Sequence, residues 1–112
     1  MSFQAFVDNH LKLLKDGDAG RLVENDYHDE AEMVLMVEAK GQVVRGKEAL
    51  KAQFDFYLKN IYKGFVSVEK IGMSDDSICL EATIDTVNGL SKVWDALYMK
   101  DGKIYRHYSG LK

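Results

Sequence analysis

Apolar residues at helical spacing open the chain. Phe3, Phe6, Val7, His10, Leu11 and Leu14 fall along one side of residues 3 to 15, while Asp8, Lys12 and Lys15 lie outside that stripe. Ser2 is placed to cap this helix and Asp16-Gly17-Asp18 to stop it. Asp18 can then cap a short second helix that turns Leu22 and Val23 inward. Tyr27-His28-Asp29-Glu30 reads as a polar turn, and residues 31 to 38, AEMVLMVE, as a short strand. Gly41 and Gly46 bracket an extended piece at Val43-Val44. Helical spacing returns over residues 47 to 61 through Leu50, Phe54, Tyr57, Leu58 and Ile61. From Phe65 onward the period becomes two. Residues 65 to 73, 77 to 87, 90 to 99 and 103 to 109 predict four strands, joined by Ser74-Asp75-Asp76, Asn88-Gly89 and Asp101-Gly102. The expected class is α+β, with three helices and a consecutive meander.

The last hairpin carries the chemistry. Alternation along Val93, Asp95, Leu97 and Met99 puts one carboxylate in an otherwise apolar row. Two turns remain open. A three-residue loop with Gly102 left-handed pairs Met99 with Lys103, Asp95 with His107 and Leu97 with Tyr105; a two-residue loop pairs Asp95 with Tyr108. The first is preferred because Trp94, Ala96 and Tyr98 then share the reverse face with Tyr108, Arg106 and Ile104. At the preceding hairpin, a type I′ turn at Asn88-Gly89 pairs Val87 with Leu90, Ala82 with Asp95 and Leu80 with Leu97, and sets Asp85 opposite Lys92 as an ion pair. Both turns send Asp95 to the same apolar face.

Length and charge narrow the partners. The 112 residues suit one domain, 1–112. A net charge of -3, from 15 basic and 18 acidic residues scattered along the chain, argues against nucleic acid or a membrane surface as a partner. Cys79 is the single cysteine, so an internal disulfide and a paired-cysteine zinc site are both excluded. No apolar run approaches about 18 residues, and the first residues lack a signal-like core. The expectation is a cytoplasmic protein with a small, neutral or weakly charged ligand.

The phrases LLKDGDAGRLVENDYHDEAEMVL, RGKEALKAQFDFYL and VWDALYMKDGKIYRHYSG, in this order, resemble the nuclear transport factor 2-like superfamily, especially its SnoaL-like polyketide-cyclase and ketosteroid-isomerase-like branches. The resemblance implies a cone-like α+β fold in which a curved, mostly antiparallel sheet wraps a pocket closed by three helices. It also implies dimerisation through the outer face of the sheet, and Trp94, Tyr98 and Tyr108 supply an aromatic surface suited to a homodimer. By the same resemblance Asp95 takes the place of the isomerases' neutral acid, His10 the place of a tyrosine partner, and Leu35 the place of the general-base aspartate. Leu35 cannot accept a proton, which counts against steroid isomerisation by that route. The Asp-Arg-Asp set of limonene-type epoxide hydrolysis is also missing, since Arg106 falls on the opposite face from Asp95.

Asp95 and His107 are therefore the candidate catalytic pair, able to share a proton and move it to or from a carbonyl-bearing substrate. His10, Tyr57 and Tyr105 can add hydrogen bonds in the same cavity, and Phe54, Leu58, Leu97 and Met99 apolar walls. No metal or other cofactor is expected, and His28 with Asp29 and Glu30 reads as a solvated turn rather than a ligand cluster. Two functions stay open: a cyclase or isomerase-type enzyme using acid-base proton transfer, or a noncatalytic ligand-binding or dimerisation module.

Overall fold

A computed structural model describes residues 3–36 and 41–112. Helix α1, Gln4–Asp16, buries Val7 and Leu13 and packs Phe3, Phe6, Leu11 and Leu14 against the core. Gly17 ends it, its N–H meeting the carbonyls of Leu13 and Leu14. Helix α2, Ala19–Asp26, starts where the Asp18 carboxylate accepts the Arg21 N–H at 3.0 Å. The expected cap at Ser2 lies outside the described residues. So do the last residues of the strand expected over 31 to 38.

Strand β1 is Tyr27–Met36, so Tyr27-His28-Asp29-Glu30 is not a turn. The polar side chains that suggested one are held at the surface by partners: Lys47 bonds Asp29 at 3.0 Å, and His28 accepts the Glu30 N–H. Tyr27, just before them, is fully buried. Strand β2, Gln42–Arg45, pairs antiparallel with β1 and leads into helix α3, Gly46–Asn60, which buries Leu50 and Phe54.

Strands β3 (Tyr62–Met73), β4 (Ser77–Thr86), β5 (Gly89–Lys100) and β6 (Lys103–Leu111) form the expected meander. The full sheet runs β2-β1-β6-β5-β4-β3, with β1 parallel to β6. It is mixed, curved and unclosed. Two elements let consecutive antiparallel strands meet β1 in parallel: the β2 hairpin and α3, which together carry the chain from one edge to the other.

The first hairpin register differs from expectation by a slip of two, which preserves the faces; the second differs by one beside the turn and by two beyond a bulge. At the first, the turn residues are Val87-Asn88, and Gly89 at φ 105° takes the positive-φ place after them. Thr86 fixes this turn, its hydroxyl donating to the Gly89 carbonyl and accepting the Asn88 N–H. Thr86 thus pairs with Gly89, Leu80 with Asp95 and Ile78 with Leu97. Asp85 faces Leu90, so no Asp85–Lys92 pair forms; Lys92 lies opposite Thr83 and 3.9 Å from Glu69.

At the second hairpin Asp101 and Gly102 have φ of 55° and 76°, the two positive values of a type I′ loop. The loop is therefore two residues long, and a bulge follows at once. Met99 pairs with Ile104 and Tyr98 with Arg106, leaving Tyr105 as the extra residue. Leu97 consequently faces His107, and Asp95 faces Ser109 rather than His107. The two-residue loop also turns Ile104 inward opposite Met99, where it is fully buried instead of lying on the reverse face.

Candidate functional site

Five strands contribute one residue each to the inner rung that carries Asp95: Leu35, Ser109, Asp95, Leu80 and Ile71. The neighbouring rung carries Met33, His107, Leu97 and Ile78, all buried under the helices. His107 and Asp95 are therefore diagonal neighbours on one face. Their contact is short, with His107 Nε2 2.7 Å from Asp95 Oδ1.

The other imidazole nitrogen is engaged too. His107 Nδ1 lies 2.8 Å from the Tyr27 hydroxyl, and the two rings stack with centroids 6.0 Å apart. Burial, then the charges of Asp95 and Asp26, push the Tyr27 phenol well above its ordinary value, so it stays protonated. In the neutral ring, Nε2–H donates to Asp95 and Nδ1 accepts the Tyr27 O–H. The result is a relay, Tyr27–His107–Asp95, closed at the phenol and open at the acid: the Asp95 side chain retains 22 % of its exposure.

Burial pushes the Asp95 carboxyl up, but hydrogen bonding to His107, its charge, and a hydrogen bond from Ser109 outweigh that and hold it below the ordinary carboxylate value. At neutral pH Asp95 is thus an acceptor. It cannot be the neutral hydrogen-bond donor that the isomerase resemblance implies.

A second acid-imidazole pair joins α1 to α2. His10 Nδ1 donates to Asp26 Oδ2 at 2.7 Å, with Phe6 stacked on the imidazole and the Tyr27 ring tilted against it at 6.2 Å between centroids. His10 also lowers the Asp95 carboxyl through its charge, which puts both imidazoles within reach of one electrostatic site.

The other expected residues divide between wall, core and exterior. Tyr57 is partly buried, and its phenol is raised by burial, by Tyr62 and by Asp95, so it belongs to the acid's surroundings. Leu58 packs partly buried against the core. Phe54, Leu97 and Met99 are inside the packed core instead of on an open wall. Tyr105 is on the outer face, between Lys100 at 4.7 Å and Arg106 at 4.0 Å and edge-on to Tyr98, so it does not share the cavity. Arg106 also points outward, donating to the Glu30 and Tyr105 carbonyls. An open groove of about 800 Å³ is lined mainly by outward residues of β3, β4 and β5, including Lys70, Cys79, Glu81 and Trp94, and also by Ile71, Leu80 and Asp95. Tyr98 and Tyr108 are also outward, each about 40 % exposed. Among the described residues no three metal-capable side chains cluster, and no helix is long and apolar enough to cross a membrane.

Sequence reasoning missed Tyr27 and Asp26. The available signal was the alternation Tyr27, Asp29, Ala31, Met33, which extends the strand pattern backward.

No family model matches the chain, and no curated protein matches it. Solved structures do. A protein of Mesorhizobium loti described as NTF2-like and of unknown function superposes with a TM-score of 0.79 at 15% identity, over 95% of this chain and 87% of its own. The chain therefore has the nuclear transport factor 2-like fold. SnoaL-like proteins share it. One from Mesorhizobium loti, provisionally described as a SnoaL-like polyketide cyclase, has a TM-score of 0.74 at 24% identity over 97% of this chain and 98% of its own. The epoxide hydrolase/cyclase-like enzyme SalBIII, described in pyran ring formation in the polyether salinomycin, has a TM-score of 0.79 at 14% identity over 97% and 89%.

Proposed function

We propose that this protein is a small-molecule enzyme of the cyclase or isomerase type, in which the Asp95 carboxylate takes a proton from an apolar, carbonyl-bearing substrate and returns it. The observation that carries this reading is the orientation of the relay. Its phenol end is sealed in the core and its carboxylate end meets the surface, so a proton arriving at Asp95 rests on the accessible end of the relay, while the His107 Nε2–H, its ring fixed by Tyr27, holds the carboxyl in place. The likeness in fold to a SnoaL-like cyclase and to SalBIII supports the class of chemistry without fixing the substrate. The held-down carboxyl makes Asp95 a modest base, suited to an already acidic C–H such as one beside a carbonyl.

Hydrogen-deuterium exchange at carbons beside the carbonyl, followed by NMR in deuterated buffer over a panel of cyclic and aryl ketones, tests the assignment. Exchange above buffer in the wild type, lost in Asp95→Asn with circular dichroism unchanged, is the expected result. Equal exchange in both proteins would sink the reading. A second reading, a noncatalytic ligand-binding or dimerisation module, is favoured by the packing of Phe54, Leu97 and Met99 into the core and by the open groove lined mainly by outward residues of β3, β4 and β5. Saturable binding with no exchange supports that alternative, and so does a dimer whose dissociation follows substitution of Trp94, Tyr98 or Tyr108.

A further inference from the structure

Helix α3 is apolar on two sides. Leu50 and Phe54 go into the core, while Ala49, Ala52 and Phe56 follow one another along the solvent side at the spacing that lines up one helical face. Phe56 is 56 % exposed, more open to solvent than Tyr98 or Tyr108 on the outer face of the sheet. Beside Ala49 and Ala52 a groove of about 370 Å³ separates the helix from β2, lined also by Val43, Val44 and Gln53. β2 is an end strand of the sheet, and Val43 is itself 45 % exposed. An aromatic knob and an apolar hollow thus share one element, between one and two turns apart. A two-fold axis needs that combination, because each copy's knob then fills the other's hollow.

We propose that the solvent face of α3 is a contact surface for a second copy of this chain, the two helices antiparallel and crossing near residues 53 and 54, with Phe56 of each seated in the groove beside the partner's Ala49 and Ala52. The charges select the same crossing. Glu48, Asp55 and Lys59 are exposed along one flank of the apolar strip. Laid antiparallel on itself, the helix brings Phe56 to the level between the partner's two alanines where Glu48 comes level with the partner's Lys59, and by symmetry Lys59 with the partner's Glu48. A parallel pairing would set like charges side by side. One exposed ring needs no explanation, whereas a ring, a hollow and a charge order that agree on one register mark an interface. This surface lies opposite the side of α3 that buries Leu50 and Phe54 and is separate from Trp94, Tyr98 and Tyr108. It depends neither on proton transfer at Asp95 nor on a dimer through the sheet. One helix and one groove from each copy make an interface at the small end of the specific range, so a weak dimer is expected, with a Kd of about 50 μM.

Sedimentation velocity of the full chain over about 1–500 μM at low salt reads the association. Phe56→Ser is expected to weaken it about tenfold and to melt at the wild-type temperature, since the ring is exposed in the single chain. Tyr98→Ala is expected to leave it unchanged. Glu48→Lys alone and Lys59→Glu alone are each expected to weaken it about fivefold. Mixed in equal amounts, those two variants are expected to associate as the wild type does, because every contact again joins opposite charges. A wild type that is monomeric across the range, association that survives in Phe56→Ser, or a mixture no better than either variant alone overturns the proposal. Loss of association in Tyr98→Ala overturns it too, because the contact would then belong to the outer face of the sheet.

Discussion

Two acid-imidazole pairs of equal length, 2.7 Å each, both pack against the Tyr27 ring, and their burial is inverted. In the helical pair the acid is the inner member, with Asp26 3 % exposed against 13 % for His10. In the sheet pair the imidazole is inner, with His107 8 % exposed against 22 % for Asp95. The same bond thus serves two ends. A sealed carboxylate with one partner ties α1 to α2, whereas a sealed imidazole with two partners presents a carboxylate outward. Which member faces the ligand, rather than which residues are paired, separates a tie from a candidate site.

The inversion predicts unequal costs when the outer member is removed. His10→Leu leaves the Asp26 carboxylate inside the protein with no cation and no donor. Stripping one partner from a buried ion pair destabilises by about 3–5 kcal/mol. Urea unfolding monitored by circular dichroism should show a midpoint lowered accordingly, with an unchanged slope. A loss below about 1 kcal/mol would mean that Asp26 is rehydrated and that the two pairs do not differ as described.

Asp95→Leu should cost less. His107 keeps the Tyr27 hydrogen bond and loses only one contact, so the expected destabilisation is about 1–2 kcal/mol. The same unfolding experiment checks it. The ordering of the two variants matters more than either value.

How much of this was legible in the sequence follows from one geometric fact. A strand's faces alternate, so a register slip of two leaves every side chain on its side. That is why Asp95 and His107 were assigned to the same face although their direct pairing was wrong. An odd slip inverts the face, and the two-residue loop is one: it put Ile104 inward opposite Met99, and the bulge at Tyr105 then added the second step that returned His107 to the inner face. Nothing in Lys100-Asp101-Gly102 announces a bulge beyond the turn. Tyr27 was hidden for another reason. Asp29 and Glu30 look like a turn in one dimension and are a surface edge in three, with Asp29 held by Lys47. The helices were legible because Gly17 and Asp18 punctuate them locally. Asp26 was not, because its partner is sixteen residues away.

The smallest effect sharpens the comparison most directly, since it reads the outward acid itself. Asp95 titrates below the ordinary carboxylate value because His107 outweighs burial. A carboxyl whose folded value is depressed stabilises the fold fully above its unfolded value, about 3.9, and that contribution disappears as the pH falls through the folded value. His107→Gln removes the imidazole charge while keeping a side chain that can donate. Burial is then the larger influence, and the carboxyl should move upward. Carbon-13 NMR of the Asp95 carboxyl across pH 2–7 measures both proteins, with the variant expected at the higher midpoint. The sign of the stability slope follows: if the variant's value rises past 3.9, Asp95 favours the fold only when protonated, and stability increases as the pH falls through that value. An unchanged midpoint would show that the imidazole does not set the carboxylate's charge. The outward acid would then owe its ionisation to solvent alone, and the inversion between the pairs would carry no chemical consequence.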